Sequence, residues 1–351
     1  MTPKWKIITV VWELTSRCNL SCAHCGSSAG PEGKNERELS FEESKAIVED
    51  IKELGADRVV FSGGEPFLSE YWEPLAEYTM DLGIEVHFVS NGLLVDSELI
   101  KRLLKFRNKF AIGLSLDGAT PSTHDSIRGC PGLFHRVISA ISLFVENKLP
   151  VSVITTVHKA NMGDLEALWK LLKKTGIYAW QIQPAMPIGR MAERPDLVFD
   201  IDDFNSLARF ISMVRNDGSI RVEAGDNVGY FGEFESSLRD TAWSGCKAGL
   251  NILGIRSNGD IVGCLSLQGT HPEGNVRVKS LKEIWNDKRA FSYNRCFELD
   301  ELKGECRDCR YARICKGGCS FLSYSYTGEY HNNPVCLRKC SDGNESVVII
   351  G

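Results

Sequence analysis

Three cysteines, Cys18, Cys22 and Cys25, lie together in Thr15-Ser-Arg-Cys-Asn-Leu-Ser-Cys-Ala-His-Cys-Gly26, directly after a short apolar run. A [4Fe–4S] cube has four irons, so a protein that gives it only three thiolates leaves one iron able to take an outside ligand, and that iron is where chemistry can happen. The bland alternative is a zinc knuckle. Structural zinc wants four ligands and usually pairs C-x2-C units, and on paper His24 is the fourth. The all-thiolate set and its fit to the rest of the chain favour iron.

Thirteen cysteines occur in 351 residues. With 43% hydrophobic and 25% charged residues the chain reads as a globular protein of one large or two ordinary domains. Net charge is −5 with no long basic block, which gives a nucleic-acid partner no electrostatic support. Lys303, Arg307, Arg310, Arg313 and Lys316 do crowd one cysteine group, as a solvated face or as a docking patch for an acidic electron donor. No apolar run approaches a membrane span and the N-terminus has no signal-peptide layout, so a cytoplasmic location is expected. Thiols stay reduced there, and the cysteines then argue for metal rather than disulfides.

The elements that must hold these residues alternate. Strands are predicted at Ile7–Leu14, Arg58–Ser62, Glu85–Ser90, Phe110–Ser115, Val151–Val157 and Tyr178–Gln183. Helices are predicted at Ser40–Leu54, Trp72–Leu82, Ser97–Lys105, Phe134–Asn147 and Met162–Thr175, and a further one, Asp202–Asn216, follows the Pro184–Arg190 loop. Six βα repeats with right-handed crossovers predict an α/β fold with a parallel sheet curled into a partial barrel, too few for a closed eight-fold one. Beyond about residue 235 the texture changes to short strands, glycine turns and cysteines, which sets the expected domains at 1–235 and 236–351.

Ligands collect at the carboxyl ends of such strands, and the motifs fall there: the cysteines after strand one, Gly63-Gly64-Glu65-Pro66 after strand two, Ser90-Asn91-Gly92 after three, Ser115-Leu-Asp117-Gly118 after four and Gln183 after six. Alone, the glycine motifs would be turns. Together with C-x3-C-x2-C they resemble the radical S-adenosylmethionine (SAM) enzymes, whose partial (βα)6 barrel the chain is then expected to share. The resemblance implies that SAM chelates the open iron and is cleaved by one electron to a 5′-deoxyadenosyl radical, which abstracts hydrogen from substrate. It also implies that the Gly63–Pro66 loop holds the SAM amino group, with Glu65 accepting from the ammonium. Ser90, Asn91 and Gln183 suit a ribose, and Ser115 with Arg128 or Arg136 suits the SAM carboxylate; Asp117 is taken as a further cofactor contact. His24 stands where the family often has an aromatic residue.

Cys246-x12-Gly259-x4-Cys264, then Cys306-x2-Cys309-x5-Cys315-x3-Cys319 and Cys336, resemble the SPASM domain, a small cysteine-rich α+β extension found in one branch of that family. Asn251–Cys264 reads as a hairpin about the Ser257-Asn-Gly-Asp260 turn. By the family's ligation pattern Cys246, Cys264 and Cys319 bind a first auxiliary [4Fe–4S] cluster, and Cys306, Cys309, Cys315 and Cys336 a second. Cys296 and Cys340 are left as candidates for the missing fourth thiolate of the first. A pair of zinc ribbons is the plain alternative.

Cys130, in Ile127-Arg-Gly-Cys-Pro131, is either a loop residue or a hydrogen-atom donor on the active rim. The resemblance implies an oxidoreductase, and relatives of this layout mostly act on ribosomally made peptides by thioether or carbon–carbon crosslinking, by epimerisation, or in building peptide-derived redox cofactors. The segments around Cys18 and Cys25-Gly-Ser-Ser28 resemble maturases of the mycofactocin type. Strand one starting by residue 7 leaves no room for an N-terminal leader-binding domain, so leader recognition is expected to use a separate leader-binding protein or a groove elsewhere, with flavodoxin or ferredoxin as reductant. Haem-pathway and sulfatase-activating relatives keep a non-peptide substrate open, and a non-catalytic iron–sulfur carrier would explain the C-terminal cysteines but not the SAM-type rim.

Overall fold

The computed structural model describes residues 5–341, with only the backbone at 340 and 341. Its centre is one ten-stranded sheet. The strands are β1 (Thr9–Glu13), β2 (Arg58–Ser62), β3 (Glu85–Ser90), β4 (Phe110–Ser115), β5 (Val151–Val157), β6 (Ala179–Pro184), β7 (Arg221–Ala224), β8 (Ile252–Ile255), β9 (Asp260–Val262) and β10 (Gly274–Asn275). Their order is β10-β9-β8-β1-β2-β3-β4-β5-β6-β7, and β1 to β7 run parallel. The intervening helices are α1 (Phe41–Glu53), α2 (Trp72–Asp81), α3 (Ser97–Leu103), α4 (Pro121–Arg128), α5 (Leu133–Glu146), α6 (Leu165–Leu172) and α7 (Ile201–Asp217).

Strand alternation gives the sheet two unlike faces. Val10, Trp12, Val59, Phe61, Val86 and Phe88 point outward and are fully buried under the helices. Val11, Ser62, Ser115, Thr156, Gln181 and Gln183 belong to the inner, half-buried face. Mixed small and polar residues on that face leave the inside of the curl for ligands rather than filling it.

The six expected βα units are present, with a seventh strand, β7, added beside β6. C-terminal to the expected boundary near 235, β8 pairs parallel to β1 and turns back antiparallel as β9, so the same sheet continues into the cysteine-rich part. Glu13, 1% exposed, fastens the junction by accepting from the Ser257 hydroxyl at 2.8 Å. Arg277 adds a clamp on Glu43 at 2.7 Å. Among the described residues no helix is long and apolar enough to cross a membrane.

Candidate active site

The cysteine loop leaves β1 and is held from four sides. Glu38 accepts from the Thr15 hydroxyl (2.9 Å) and from the Ser16 amide (2.7 Å). Gly30 accepts from the Cys18 amide at 2.8 Å. Behind β2, the Gly64 amide donates to Thr15 O (2.8 Å) and the Glu65 amide to Arg17 O (2.9 Å). Arg190, in the loop after β6, donates to Cys22 O and Ala29 O, both at 2.8 Å. The sequence did not single out Arg190; its position in a Pro/Gly loop after a barrel strand was the only signal.

Gly63 and Gly64 are required by close approach, although what approaches is the cysteine loop itself. A Cβ on Gly64 would lie 2.0 Å from Arg17 O, and one on Gly63, at φ +146°, 2.5 Å from Thr15 O. Pro66 begins a single tight turn, Pro66–Leu68.

The next side chains bind one another. Glu65, fully buried, accepts from the Ser90 hydroxyl and from the Asn91 amide, both at 2.9 Å. Asn91 donates to Asn19 at 2.7 Å, with the Cys18 sulfur at 3.7 Å. Ser90 and Asn91, expected at a ribose, thus carry the β3 end onto Glu65 and the cysteine loop. Burial pushes Glu65 up to about 7, against the three donors Asn91, Ser90 and Phe67, which favour its charged form. A carboxyl raised on folding takes up a proton in the folded state, so its contribution favours folding below its unfolded pKa and is lost as pH rises through about 7. Glu65 therefore contributes a loss of up to about 3 kcal/mol between about pH 5 and 8, read as the difference between the cluster-free parent and Glu65→Gln in denaturant titrations, because His24, His87 and His124, lowered by burial, act the other way in both proteins.

After β4, Asp117 is 1% exposed and takes Arg128 through two contacts of 2.7 Å, on Nε and Nη2. Its other oxygen accepts from the Thr156 amide at 2.9 Å, while His24 Nε2 lies 3.3 Å from the oxygen that holds Arg128. Burial opposes its ionisation, but Arg128 beside it holds Asp117 down at about 2. Arg128 in turn places Nη1 3.9 Å from the Cys22 sulfur. Asp117, expected at the cofactor, is therefore the anchor of a buried guanidinium. Arg136 is exposed on α5, so of the two arginines Arg128 is the one turned to the cysteines. Ser115 belongs to the inner face. Cys130 is half-buried in the α4–α5 turn and is not on the cavity wall described below.

The second cysteine set forms two groups. Cys246, Cys264 and Cys319 line one cavity of about 460 Å³ with Gln183. The neighbouring Cys246 and Cys319 thiols shift each other, Cys246 down and Cys319 up, while burial pushes Cys264 up to about 11. Burial, and after it the neighbouring Cys336, Cys306 and Cys309, raise the Cys315 thiol, and burial raises Cys336 to about 11. Backbone amides of Asn333 and Tyr311 point at the Cys306 and Cys309 sulfurs, at 3.5 and 3.4 Å. Tyr230, fully buried, bridges the groups: its hydroxyl accepts from the Cys319 amide (2.9 Å) and its carbonyl lies 3.6 Å from the Cys336 sulfur. Trp243 packs on it with ring centroids 4.5 Å apart. Neither aromatic was picked out in the sequence. Cys296 is at the surface, its sulfur 4.0 Å from Lys288 O, because Phe291 and Asn294 take the buried side of its short helix. The Cys340 side chain lies outside the described residues.

Residues 12–172 match the radical SAM superfamily model, and residues 246–310 match that of the SPASM iron–sulfur cluster-binding domain. The chain carries a radical SAM domain followed by a SPASM domain, binding SAM on one [4Fe–4S] cluster and auxiliary iron–sulfur clusters in its C-terminal part. The AdoMet-dependent heme synthase of Methanosarcina barkeri is 28% identical, over 94% of this chain and 96% of that protein. Mycofactocin maturase MftC of Mycolicibacterium smegmatis is also 28% identical, over 92% of this chain and 80% of its own. In fold the chain is similar to anSMEcpe with bound AdoMet (TM-score 0.73, 21% identity, 95% of both chains). It is also similar to Streptococcus suis SuiB bound to precursor peptide SuiA (TM-score 0.75, 20% identity, 95% of this chain and 76% of that one).

The residues present fit the clusters. Cys18 and Cys22 are desolvated, which pushes Cys18 up to about 11, and each has an N–H donor directed at its sulfur, from Asn91 and Arg128. Thiols so placed are poor thiolates until iron supplies the positive charge, and the donors then stabilise the ligated sulfur.

Proposed function

We propose that this chain is an oxidoreductase that modifies a ribosomally made peptide, by crosslinking, by epimerisation, or on the way to a peptide-derived redox cofactor. Bound SAM supplies the radical that removes a hydrogen atom; the chain's residues seat the substrate. The supporting observation is the cavity inside the curl. Gln181, Gln183 and Asn227 line it together with the apolar Val11 and Ile252, and amides of this kind suit peptide N–H and C=O groups. Its charges are Glu223 and Asp226 against one lysine, Lys247. Burial raises the Asp226 carboxyl, so an N–H donor or a cation relieves it, and the carboxylates of a porphyrin do not. In this reading the leader is recognised by a separate protein.

A second reading, a tetrapyrrole substrate, is favoured by the heme synthase relatives, matched over nearly the full length of both chains. One experiment separates the two. The enzyme is co-expressed anaerobically with a short peptide encoded beside its gene, in heavy water, and the peptide is weighed; purified enzyme is incubated in parallel with iron–coproporphyrin. A peptide lighter by two hydrogens, or carrying deuterium at one α-carbon, is expected. An unchanged peptide beside a porphyrin of altered mass overturns the peptide reading.

A further inference from the structure

The four thiols of the second auxiliary group lie under a basic surface. Arg307 and Arg310 each follow a ligand cysteine, Cys306 and Cys309, and Arg313 comes one turn later; all three are exposed while the two thiols beneath are half-buried. None of the three has a carboxylate within ion-pair distance among the described residues. The neighbouring lysines do: Lys303 is held by Glu329 at 2.7 Å and Lys339 by Glu305 at 2.9 Å. Arg307 spends its Nε on the Leu302 carbonyl, and Arg310 lies over the Tyr311 ring, 5.0 Å from its centroid. Tyr311 stacks on Phe231 at 4.4 Å, so the platform under Arg310 is firm. Ile314, 53% exposed, stands among the arginines as an apolar contact.

Solvated arginines on a protein of net charge −5 usually find acidic neighbours, and elsewhere on this chain many do: Arg58, Arg102, Arg194, Arg215 and Arg277 are all ion-paired. Three guanidiniums with no carboxylate partner among the described residues, around one exposed isoleucine and over a redox-active group, form a local positive field that steers an anionic partner despite the net negative charge. We infer that the face made by Arg307, Arg310, Arg313 and Ile314 is the docking surface for a small acidic one-electron carrier protein, of the flavodoxin or ferredoxin kind. A weak, small, salt-sensitive contact of this sort suits a donor that must leave after each transfer. The donor gives up one electron and the enzyme's iron–sulfur set takes it, so the transfer balances with no further reactant. The inference rests on cluster binding and not on which substrate is modified.

The test follows the reduction of the reconstituted holoenzyme by reduced flavodoxin in anaerobic stopped flow, by bleaching of the iron–sulfur absorbance. The rate should fall roughly tenfold between about 50 and 300 mM salt. In the R307E/R310E/R313E variant it should fall at least about tenfold at low salt and lose most of its salt dependence. Iron content and dithionite-driven release of 5′-deoxyadenosine should match the parent enzyme, which separates lost docking from lost clusters. A variant that is reduced by flavodoxin as fast as the parent overturns the inference, as does a parent rate indifferent to salt. Should the triple variant assemble poorly, Arg313→Glu alone, which follows no cysteine, should still slow the flavodoxin reaction by about threefold.

Discussion

Gly64→Ala should abolish SAM cleavage and cost the protein its first cluster while sparing the other two. An added methyl would sit 2.0 Å from Arg17 O and 2.9 Å from the Cys18 amide, both backbone atoms with no rotamer through which to escape. Relief requires moving Arg17 and Cys18 away from the end of β2. That movement breaks the bonds from the Gly64 and Glu65 amides to Thr15 O and Arg17 O, each contributing about 1 kcal/mol. Cys18 then no longer sits in register with Cys22 and Cys25. Iron per polypeptide after anaerobic reconstitution should drop from about twelve to about eight. Release of 5′-deoxyadenosine should fall by about 100-fold or more, since a misplacement near 1 Å costs that much at a reacting centre. The auxiliary EPR signals should persist. Gly163→Ala is the control, because its methyl meets nothing within 4 Å. Full iron and full activity in Gly64→Ala would mean that the loop can give way without loss, and that these glycines serve some other purpose.

The sequence shows the barrel more clearly than it shows the roles. β2 to β5 fall at the predicted residues because each is a short β-branched and aromatic run with fully buried apolar positions recurring along it, bounded by turns. β7 has four residues with charges at Arg221 and Glu223, too short and too polar at the sheet's end to signal a strand. Pairing of β8 with β1 joins residues more than 240 positions apart, and a parallel contact at that separation leaves no local mark. The site motifs were found, and Gly63, Gly64, Ser90, Asn91 and Asp117 also hold the cysteine loop and Arg128 in place, a supporting part that the motifs did not show. A glycine approached by a neighbouring backbone and a glycine approached by a ligand look the same in sequence. The choice of Arg128 over Arg136 depended on α4. Its signals were present: Thr120 as N-cap, Pro121 in the first turn, and Gly129 at φ +66° closing the helix just after Arg128.

Asp117→Ala should destabilise the protein by about 3–5 kcal/mol, the effect of leaving a buried guanidinium without its counter-charge. Arg128 is 8% exposed, and Asp117 supplies both of its short contacts. Burial alone would lower the pKa of Arg128; Asp117, and after it Cys22, raise it. His24 reinforces the arrangement. Burial lowers it to about 3, so it is neutral, with its Nε2 3.3 Å from Asp117. The stability that Asp117 contributes is present above its unfolded pKa and is lost as pH falls through about 2. Stability and chemistry can be separated by removing both charges. In Asp117→Asn with Arg128→Met no buried ion remains unpaired, and replacing a buried ion pair by matched neutral groups is often close to neutral. The double variant should therefore melt well above Asp117→Ala in denaturant. Its first cluster has still lost the guanidinium near Cys22, whose positive charge and N–H favour the reduced, more negative cluster. Its reduction potential should move to more negative values in EPR-monitored titration, and SAM cleavage should stay low. Recovery of stability without recovery of potential would assign Asp117 and Arg128 to the cluster rather than to the fold. If stability, potential and cleavage all returned together, the pair would be a packing element alone.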